Sequence, residues 1–143
     1  MTLDLFSGTG SVAKVARRQG WGTATLDRDL PADLQKDIMD CDCSSFHEKF
    51  FDFAWASPPC TEYSRAKTTA PRDIEGANNI VERALEIINF LKPDFWVIEN
   101  PESGLLKHQP MMQGLPFVDV GYCRYGMPHR KKATDYGVKG RRR

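Results

Sequence analysis

The sequence lacks long apolar runs and has few cysteines, and each shortage excludes a class of protein. No stretch of the 143 residues approaches the roughly 20 apolar residues of a membrane span, so we expect no membrane partner. Four cysteines in a chain of this size do not form a disulfide framework, which favours an intracellular, reduced setting. The first residues pass directly into an apolar strand pattern, so we expect no signal peptide and no secretion.

Metal ligands are also sparse. One residue separates Cys41 from Cys43, and His47 lies nearby. This cluster lacks a fourth ligand and the spacing of a zinc finger. His108 and His129 stand alone near predicted turns. The sequence therefore predicts no metal site.

Net charge is only +1, but the charged side chains are unevenly distributed. Residues 130–143 contain seven of the 20 basic side chains, and Asp135 is the only acid among them. Residues 1–129 consequently carry a net charge of −5. A basic end on an acidic body is typical either of a solvated, frayed terminus, which we favour, or of a contact with nucleic-acid phosphates. We therefore predict a flexible basic tail over residues 133–143.

Strand and helix patterns alternate along the chain, without internal repeats or low-complexity segments. Strands are predicted at residues 3–5, 23–27, 51–55, 95–98 and 117–122, and helical spacing of apolar residues follows the first strand and covers residues 73–91. The stretches between them are predicted to be irregular: residues 28–48 with a short strand or turn at 37–38, a mobile polar loop at 61–72, and a turn at 110–112. This alternation predicts one α/β domain over residues 1–132, with a mostly parallel sheet and helices on both faces.

Pro58, Pro59 and Cys60 form the most informative segment. They follow an apolar run at residues 51–55 that is typical of a buried strand. Two prolines lack backbone donors and fix φ, so the strand ends there. The next residue carries a thiol, at a strand tip where ligands of open α/β sheets usually bind. The segment therefore indicates either a nucleophile presented in a fixed direction or a buried structural cysteine.

Two other strand ends carry polar or flexible residues. The apolar residues 3–6 run into a turn that contains Gly8 and Gly10, and a helical pattern follows. This order can cradle a nucleotide, because glycines allow close backbone approach and a helix N-terminus offers free N–H groups. A later apolar strand pattern ends in Glu99 and Asn100. Each feature alone is weak, but their order and spacing together are specific.

Taken together, these motifs resemble the cytosine-C5 DNA methyltransferases, and most of all the small stand-alone methylases of phage genomes. The resemblance covers nearly the whole chain, from residue 3 to about residue 132. It rests on four motifs in the family's order: residues 4–10, Pro59-Cys60 with Ser64, Glu99-Asn100, and Tyr125-Gly126-Met127-Pro128. It implies a Rossmann-like, S-adenosylmethionine-dependent fold and transfer of a methyl group to C5 of cytosine in duplex DNA.

The resemblance also implies where S-adenosyl-L-methionine would bind. Gly8 and Gly10 would wrap its methionine part, whose carboxylate would meet the helix N-terminus. Phe6 would stack on the adenine, and Asp27 would bind the ribose hydroxyls. The predicted set is Asp4, Phe6, Gly8, Gly10, Asp27, Asp37 and Ile38, with the last two as a segment that contacts adenine. For Asp37, a purely structural role is an equal alternative.

The catalytic residues follow from the same resemblance. Cys60 would add through its thiolate to C6 of cytosine, and Glu99 would donate a proton to N3. Asn100 would hold the loop, Pro59 would direct a neighbouring carbonyl to the exocyclic amine, and Arg130 would contact the cytosine carbonyl. Duplex DNA would have to flip its cytosine out, since C6 is inaccessible within the stack.

The chain departs from the family's pattern after residue 128. His129 and the basic residues that follow replace a Gln-x-Arg-x-Arg pattern, and we expect no further strand after residue 122. A target-recognition region and a C-terminal closing helix are not visible. Two alternatives therefore stay open: a weakly active or inactive S-adenosylmethionine-binding module that needs a partner subunit to read DNA, and a cytosine methylase that acts on RNA. A dinucleotide-binding domain is disfavoured, because the glycine turn lacks the third glycine of that fingerprint.

Overall fold

The computed structural model of the protein describes residues 1–125 and 132–137. Seven strands in this part of the chain form one sheet: β1 (Thr2–Leu5), β2 (Thr23–Asp27), β3 (Leu34–Gln35), β4 (Phe53–Ala56), β5 (Phe95–Pro101), β6 (Phe117–Gly121) and β7 (Lys132–Tyr136). The α-helices found there are α1 (Ser11–Arg18) and α2 (Ile74–Leu91), with short 3₁₀ turns at Ile38–Asp40, Leu106–His108, Pro110–Met112 and Tyr122–Tyr125.

The sheet is mostly parallel and has the strand order β3-β2-β1-β4-β5-β7-β6. β1 to β5 pair in parallel, whereas β7 lies antiparallel between β5 and β6. From β1 the chain passes through α1 and β2 towards one edge, and from β4 it passes through α2 and β5 towards the other. The carboxyl ends of β1 and β4 therefore form the switch point at which open α/β sheets bind ligands.

The two α-helices lie on opposite faces of this sheet. Leu3, Leu5 and Ile98 share one face, because side chains alternate along a strand, and they form the main core with the buried residues of α2. Asp4 lies on the other face, where its carboxylate accepts a hydrogen bond from the backbone N–H of Ala13 in α1. The prediction of a mostly parallel sheet with helices on both faces is confirmed.

Helix α2 has clear sequence signals at both ends. Asp73 caps its N-terminus by accepting a hydrogen bond from the N–H of Gly76 at 2.8 Å. Lys92 ends it in the left-handed conformation, and Pro93 cannot continue a helix. The residues that α2 buries have helical spacing: Ala77, Val81, Ala84, Ile87, Ile88 and Leu91. Apolar spacing therefore predicts this helix to within one residue.

The predicted strands are all present, with ends that differ by up to three residues. The strand or turn expected at residues 37–38 is a 3₁₀ turn, which Asp37 caps through the N–H of Met39. Sequence patterns also miss the two-residue strand β3, because so short a segment has no periodicity of its own.

The expectation that no strand follows residue 122 is wrong. Lys132–Tyr136 forms β7, so residues 133–136 of the predicted tail belong to the sheet. The segment has weak β-propensity, and its pairing with β5 on one side and β6 on the other provides the context that a local pattern cannot show. Residues 138–143, the rest of that predicted tail, lie outside the described residues.

None of the helices in residues 1–125 and 132–137 is long and apolar enough to cross a bilayer.

Candidate active site

The Pro-Cys loop leaves the sheet at the end of β4. Ser57 continues the backbone hydrogen bonding of β4 with β1, because its N–H donates to the carbonyl oxygen of Leu5 at 3.3 Å. Its hydroxyl accepts a hydrogen bond from the indole of Trp55 at 2.7 Å. Pro58 is buried, whereas Cys60 is exposed. Cys60 therefore lies at the carboxyl end of the sheet, directly after a well-anchored strand end and accessible to a substrate.

A buried amide joins this loop to β5. Nδ2 of Asn100 donates to the carbonyl oxygen of Pro58 at 3.3 Å, and only 2% of Asn100 is exposed. A Cβ atom on Gly104 would lie 3.3 Å from Oδ1 of Asn100, so the turn after β5 packs closely against this amide. The loop that carries Cys60 is thus fixed to the strand that carries Glu99.

Tyr63 is a second anchor of this loop that the motifs in the sequence do not indicate. The residue is fully buried, and its hydroxyl donates to Oδ1 of Asn78 in α2 at 2.9 Å. The amide of Asn78 in turn donates to Gln109 at 3.0 Å, while the N–H of Leu105 donates to the Tyr63 carbonyl at 3.0 Å. An aromatic residue within a polar stretch is the available signal, because a tyrosine can bury its ring when its hydroxyl finds a partner.

The loop at residues 61–72 differs from the mobile loop that the sequence suggested. The guanidinium of Arg72 donates to the carbonyl oxygens of Glu62 at 3.1 Å, Ser64 at 2.6 Å and Lys67 at 2.9 Å. Lys67 also pairs with the Glu62 carboxylate at 2.6 Å. One arginine therefore closes the loop on itself, and residue spacing gives no sign of this.

Glu99 lies near the carboxyl end of β5 and is half-buried. Its Oε1 atom is shut off from solvent and has no hydrogen-bond partner among the described residues. Asp135 is directly opposite on β7, and burial, followed by the charge of Glu99, raises the pKa of Asp135 to about 6. Burial also raises the pKa of Tyr122 to about 12, with smaller contributions from both carboxylates. Protonatable groups from β5, β7 and the turn after β6 therefore form a cluster next to the strand that anchors the Pro-Cys loop.

The glycine loop between β1 and α1 forms an open cradle at the switch point. Gly8 and Gly10 have φ angles of 54° and 73°, in the left-handed region that favours glycine. A Cβ atom on either residue would meet nothing within 4 Å, so space is open in front of both. Phe6 also has a positive φ of 61°, which is rare for an aromatic residue and is typical of functional turns.

Asp27 ends β2 as predicted, and its carboxylate organises the backbone around it. It accepts from the N–H groups of Gly8 at 2.7 Å, Leu30 at 2.8 Å and Asp29 at 3.0 Å. Burial alone would raise the pKa of Asp27, but the three donors together lower it, so the group stays ionised. A carboxylate offers about four acceptor positions, so about one stays open beside these three donors, and the ribose contact of Asp27 stays a prediction.

Asp4 has a different place from the one expected for a residue that touches the cofactor. It is 2% exposed beneath α1, where it accepts the hydrogen bond from Ala13 at 3.3 Å. Burial raises the pKa of Asp4 to about 6, and the hydrogen bond partly opposes this shift. Asp4 thus ties the first turn of α1 to β1 from inside the protein, and its contact with the cofactor stays a prediction.

Asp37 and Ile38 have structural roles in the described chain. Asp37 caps its turn through Met39 at 2.9 Å and pairs with Arg28 at 3.5 Å. Ile38 is 3% exposed, and its side chain belongs to the core. The structural alternative for Asp37 is therefore visible, while its adenine contact stays a prediction.

Residues 126–131 lie outside the described residues. They include Arg130 and the Gly-x-Pro part of the fourth motif, so the predicted contact of Arg130 with the cytosine carbonyl stays a prediction. The same holds for Pro59, which is exposed directly before Cys60 and whose expected role concerns a bound base.

The other thiols differ from Cys60 in exposure. Cys41 and Cys43 are both buried, with their Sγ atoms 3.4 Å apart, and burial raises the pKa of Cys43 to about 12. Cys123 is exposed, like Cys60. No group of three or more His, Cys, Asp or Glu side chains in the described residues could hold a metal ion.

A large apolar groove lies apart from the Pro-Cys loop. Its volume is about 1090 Å³, and Thr2, Phe53, Phe95 and Phe117 are among its lining residues. These residues begin β1, β4, β5 and β6, so the groove lies at the amino ends of the parallel strands. Cys60 and the glycine cradle lie at the opposite, carboxyl ends of these strands. Asp135, which pairs with Glu99, also lines the groove, whereas no residue of the Pro-Cys loop does.

Comparison with known proteins agrees with this geometry. The family model described as C-5 cytosine-specific DNA methylase matches residues 1–143. A protein of Frog virus 3 (isolate Goorha), named "Probable DNA (cytosine-5)-methyltransferase", is 34% identical over 155 aligned residues, which cover 99% of this chain and 67% of the viral protein.

Solved structures share the Rossmann-like methyltransferase fold, as predicted. A structure titled "putative DNA modification methyltransferase encoded within prophage", from E. coli, matches with a TM-score of 0.70 at 19% identity, over 95% of this chain and 45% of that one. The S. pombe Dnmt2 methyltransferase matches with a TM-score of 0.65 at 14% identity, over 99% of this chain and 52% of that one. This chain thus spans two thirds of its viral relative and about half of these structures. Because the family model matches it from end to end, the chain belongs to the C-5 cytosine-specific DNA methylases, a family of S-adenosyl-L-methionine-dependent methyltransferases.

Proposed function

We propose that this chain transfers a methyl group from S-adenosyl-L-methionine to C5 of cytosine in DNA through a covalent intermediate on Cys60. The observation that supports this most strongly is the position of Cys60. It is exposed at the carboxyl end of β4, on a loop whose Pro58 carbonyl is held by Asn100. The neighbouring strand carries Glu99 beside that amide.

The glycine loop fits the methyl donor, which supplies an electrophilic methyl group on a sulfonium when it is bound. Gly8 and Gly10 leave open space in front of their backbone, as a ligand that lies against the chain requires. Asp27 is ionised and keeps an acceptor position for a hydroxyl. The start of α1 offers N–H groups to a carboxylate. These residues would hold the donor next to the carboxyl end of β4.

Cys60 performs the first step in this proposal. C5 of cytosine is a poor nucleophile, and addition of the Cys60 thiolate to C6 turns the ring into an enamine that attacks through C5. The anchored strand end holds the thiol in one direction, so the reacting atoms meet without a search through loop conformations. When the C5 proton later leaves, the bond between Sγ and C6 breaks and the thiolate is restored.

Glu99 performs the matching proton transfer. As the Sγ–C6 bond forms, a proton passes from Glu99 to N3 of cytosine, which keeps the ring neutral. On elimination the N3 proton returns to Glu99. A water molecule suffices as the base that removes the C5 proton, so this step needs no side chain. In duplex DNA the cytosine must leave the stack, since C6 is not accessible within it.

Transfer of labelled methyl from S-adenosylmethionine to a cytosine-containing duplex tests this proposal. The parent protein should label cytosine, and Cys60→Ser should abolish labelling. Cys123→Ser is the matched control, because Cys123 is the other exposed thiol among the described residues. A duplex with 5-fluorocytosine should trap the parent as an adduct, since fluorine blocks the final elimination. Trapping that persists in Cys60→Ser would show that another residue is the nucleophile.

The second candidate function is that of a binding module whose partner subunit reads the DNA sequence. It is favoured by the length of the chain, which covers 45% of the prophage enzyme and 52% of the S. pombe enzyme. In that case the chain should bind S-adenosylhomocysteine but methylate a duplex only after a partner is added. An RNA oligomer of the same sequence belongs in the same assay, since the cysteine and glutamate chemistry would serve cytosine in either nucleic acid.

A further inference from the structure

Two carboxylic acids lie side by side where β5 meets β7. Glu99 pairs with Asp135 across this antiparallel ladder, and directly opposed residues hold their Cβ atoms about 5 Å apart. Each is half-buried and has one oxygen that is closed to solvent and lacks a hydrogen-bond partner among the described residues. Like charges at this distance repel, and burial removes the water that would screen them. The pair is therefore disfavoured with both groups ionised.

Tyr122 completes the cluster. It begins the 3₁₀ turn after β6, and its hydroxyl forms a hydrogen bond with Glu99. The phenol stays neutral at ordinary pH, because burial raises the pKa of Tyr122 to about 12, with smaller contributions from both carboxylates. A neutral phenol donates its proton to a carboxylate, so Tyr122 holds the Glu99 side chain in one orientation.

The strands on either side of the pair bring no charge to this face. The register places Trp55 of β4 opposite Val97, which precedes Glu99 by two residues on the same face of β5, and Val118 of β6 directly opposite Asp135. In the described part of the chain, the charge that acts on Asp135 is that of Glu99. With burial as the larger cause, this charge raises the pKa of Asp135 to about 6. The cluster thus consists of two acids and one phenol.

We propose that Asp135 is a positioning residue that keeps a proton on the Glu99–Asp135 pair for delivery to N3 of cytosine. This inference rests on the proposed function. Burial and the repulsion between the two acids favour the state of the pair that holds one proton. Glu99, beside the loop of Cys60, passes this proton to N3 as the Sγ–C6 bond forms. The pair then carries two negative charges, so it takes the proton back readily when the thiolate is eliminated. Asp135 itself touches neither the base nor the methyl donor.

Asp135→Asn tests this role, because it removes the charge and preserves the shape. The alkaline limb of the pH–rate profile for methyl transfer should move about one unit to lower pH. The rate should then fall about tenfold at pH 8 and change much less at pH 5, below the alkaline limb of the parent. The acid limb should stay in place, since the substitution does not alter the group whose ionisation begins the reaction. Tyr122→Phe should lower kcat more than it changes KM.

Glu102→Gln is the matched control, since this acid lies directly after β5 and faces Lys107 rather than the pair. It should leave the profile unchanged. Two results would overturn the inference: an equal loss of the methyl-transfer rate at every pH in Asp135→Asn, or the same shift of the alkaline limb in Glu102→Gln. The first indicates a purely structural effect, and the second indicates a long-range one.

A titration of the carboxyl groups by ¹³C NMR, without substrate, separates this inference from the proposed function. The parent pair should titrate in two separate steps, and Asp135→Asn should leave a single step. If these two steps are seen but no methyl transfer occurs, the coupling of Glu99 and Asp135 is supported and the proposed function is wrong. If methyl transfer occurs but the two acids titrate independently, the proposed function stands and the role of Asp135 fails.

Discussion

The hydroxyl of Tyr63 donates a 2.9 Å hydrogen bond to the side-chain oxygen of Asn78, and this bond ties the Pro-Cys loop to α2. The N–H of Tyr63 also donates to the carbonyl oxygen of Cys60 at 3.1 Å. The position of the thiol therefore depends on a helix that begins more than ten residues later in the chain. A long, well-packed helix thus supports an exposed loop.

Replacing Tyr63 with Phe should lower the free energy of unfolding by about 1–2 kcal/mol. The ring still fills its buried space, but the Asn78 oxygen loses its donor in a partly buried position. Urea denaturation of the two proteins measures the change.

Asn78→Ala completes a double-mutant cycle. The two substitutions should be less than additive, since either one removes the same hydrogen bond. Full additivity would mean that the bond does not stabilise the protein.

The bond from Asn100 to Pro58 leads to a prediction about activity. Asn100→Ala should slow formation of the 5-fluorocytosine adduct by about 10²-fold, because the loop of Cys60 loses its tie to β5 and the thiol is misplaced. Binding of S-adenosylhomocysteine, measured by calorimetry, should change little, since the glycine cradle lies on another loop.

Asn79→Ala provides the control for Asn100. Asn79 has the same side chain and is exposed on α2, so its replacement should change neither measurement. Equal rates of adduct formation in Asn100→Ala and the parent would show that the loop holds its position without this amide.

Local sequence signals predict those elements whose structure depends on their own residues rather than on distant partners. The helix over Ile74–Leu91 has an apolar period, a capping aspartate and a proline after its end, and all three agree. The two neighbouring central strands β4 and β5 begin with the continuous apolar runs of residues 53–56 and 95–98, which a local pattern also predicts. The predicted switch-point location of Cys60 and of the glycine turn follows from that parallel order.

The remaining features depend on partners that are distant in sequence. Lys132–Tyr136 becomes a strand because β5 and β6 leave a position between them. Arg72 closes its loop through three carbonyl groups, which carry no sequence signal at all. The pairing of Glu99 with Asp135 requires the register of β7, so it could not be predicted from residue types.

The cradle leads to a prediction about the methyl donor. Gly10→Ala should weaken binding of S-adenosylhomocysteine at least about tenfold, which corresponds to about 1.4 kcal/mol. The new methyl group enters the open space in front of the loop, where the ligand would lie. Calorimetry measures the affinity.

Gly20→Ala is the control for backbone strain. Gly20 has a φ of 79°, close to the 73° of Gly10, and open space around it, but it lies after α1 at the other end of that helix. Both substitutions should destabilise folding by about 1 kcal/mol, and only Gly10→Ala should weaken binding. Equal affinities in the two variants would place the donor elsewhere.

The buried carboxyl of Asp4 gives a prediction about stability and pH. Burial raises the pKa of Asp4 from 3.8 to about 6, so the folded protein binds this proton more tightly than the unfolded chain does. The protonated Asp4 therefore contributes its full share of the free energy of unfolding below pH 4. This contribution is lost as the pH rises through about 6 and the carboxyl group ionises. Asp4→Asn keeps a similar shape without the charge, and it should raise the free energy of unfolding at pH 7 by about 1–3 kcal/mol.

Urea denaturation between pH 4 and pH 7 measures this effect of Asp4. The free energy of unfolding should decline less in Asp4→Asn than in the parent, and ionisation of Asp135 should cause part of the decline that remains. The same decline in both proteins would mean that Asp4 stays ionised beneath α1.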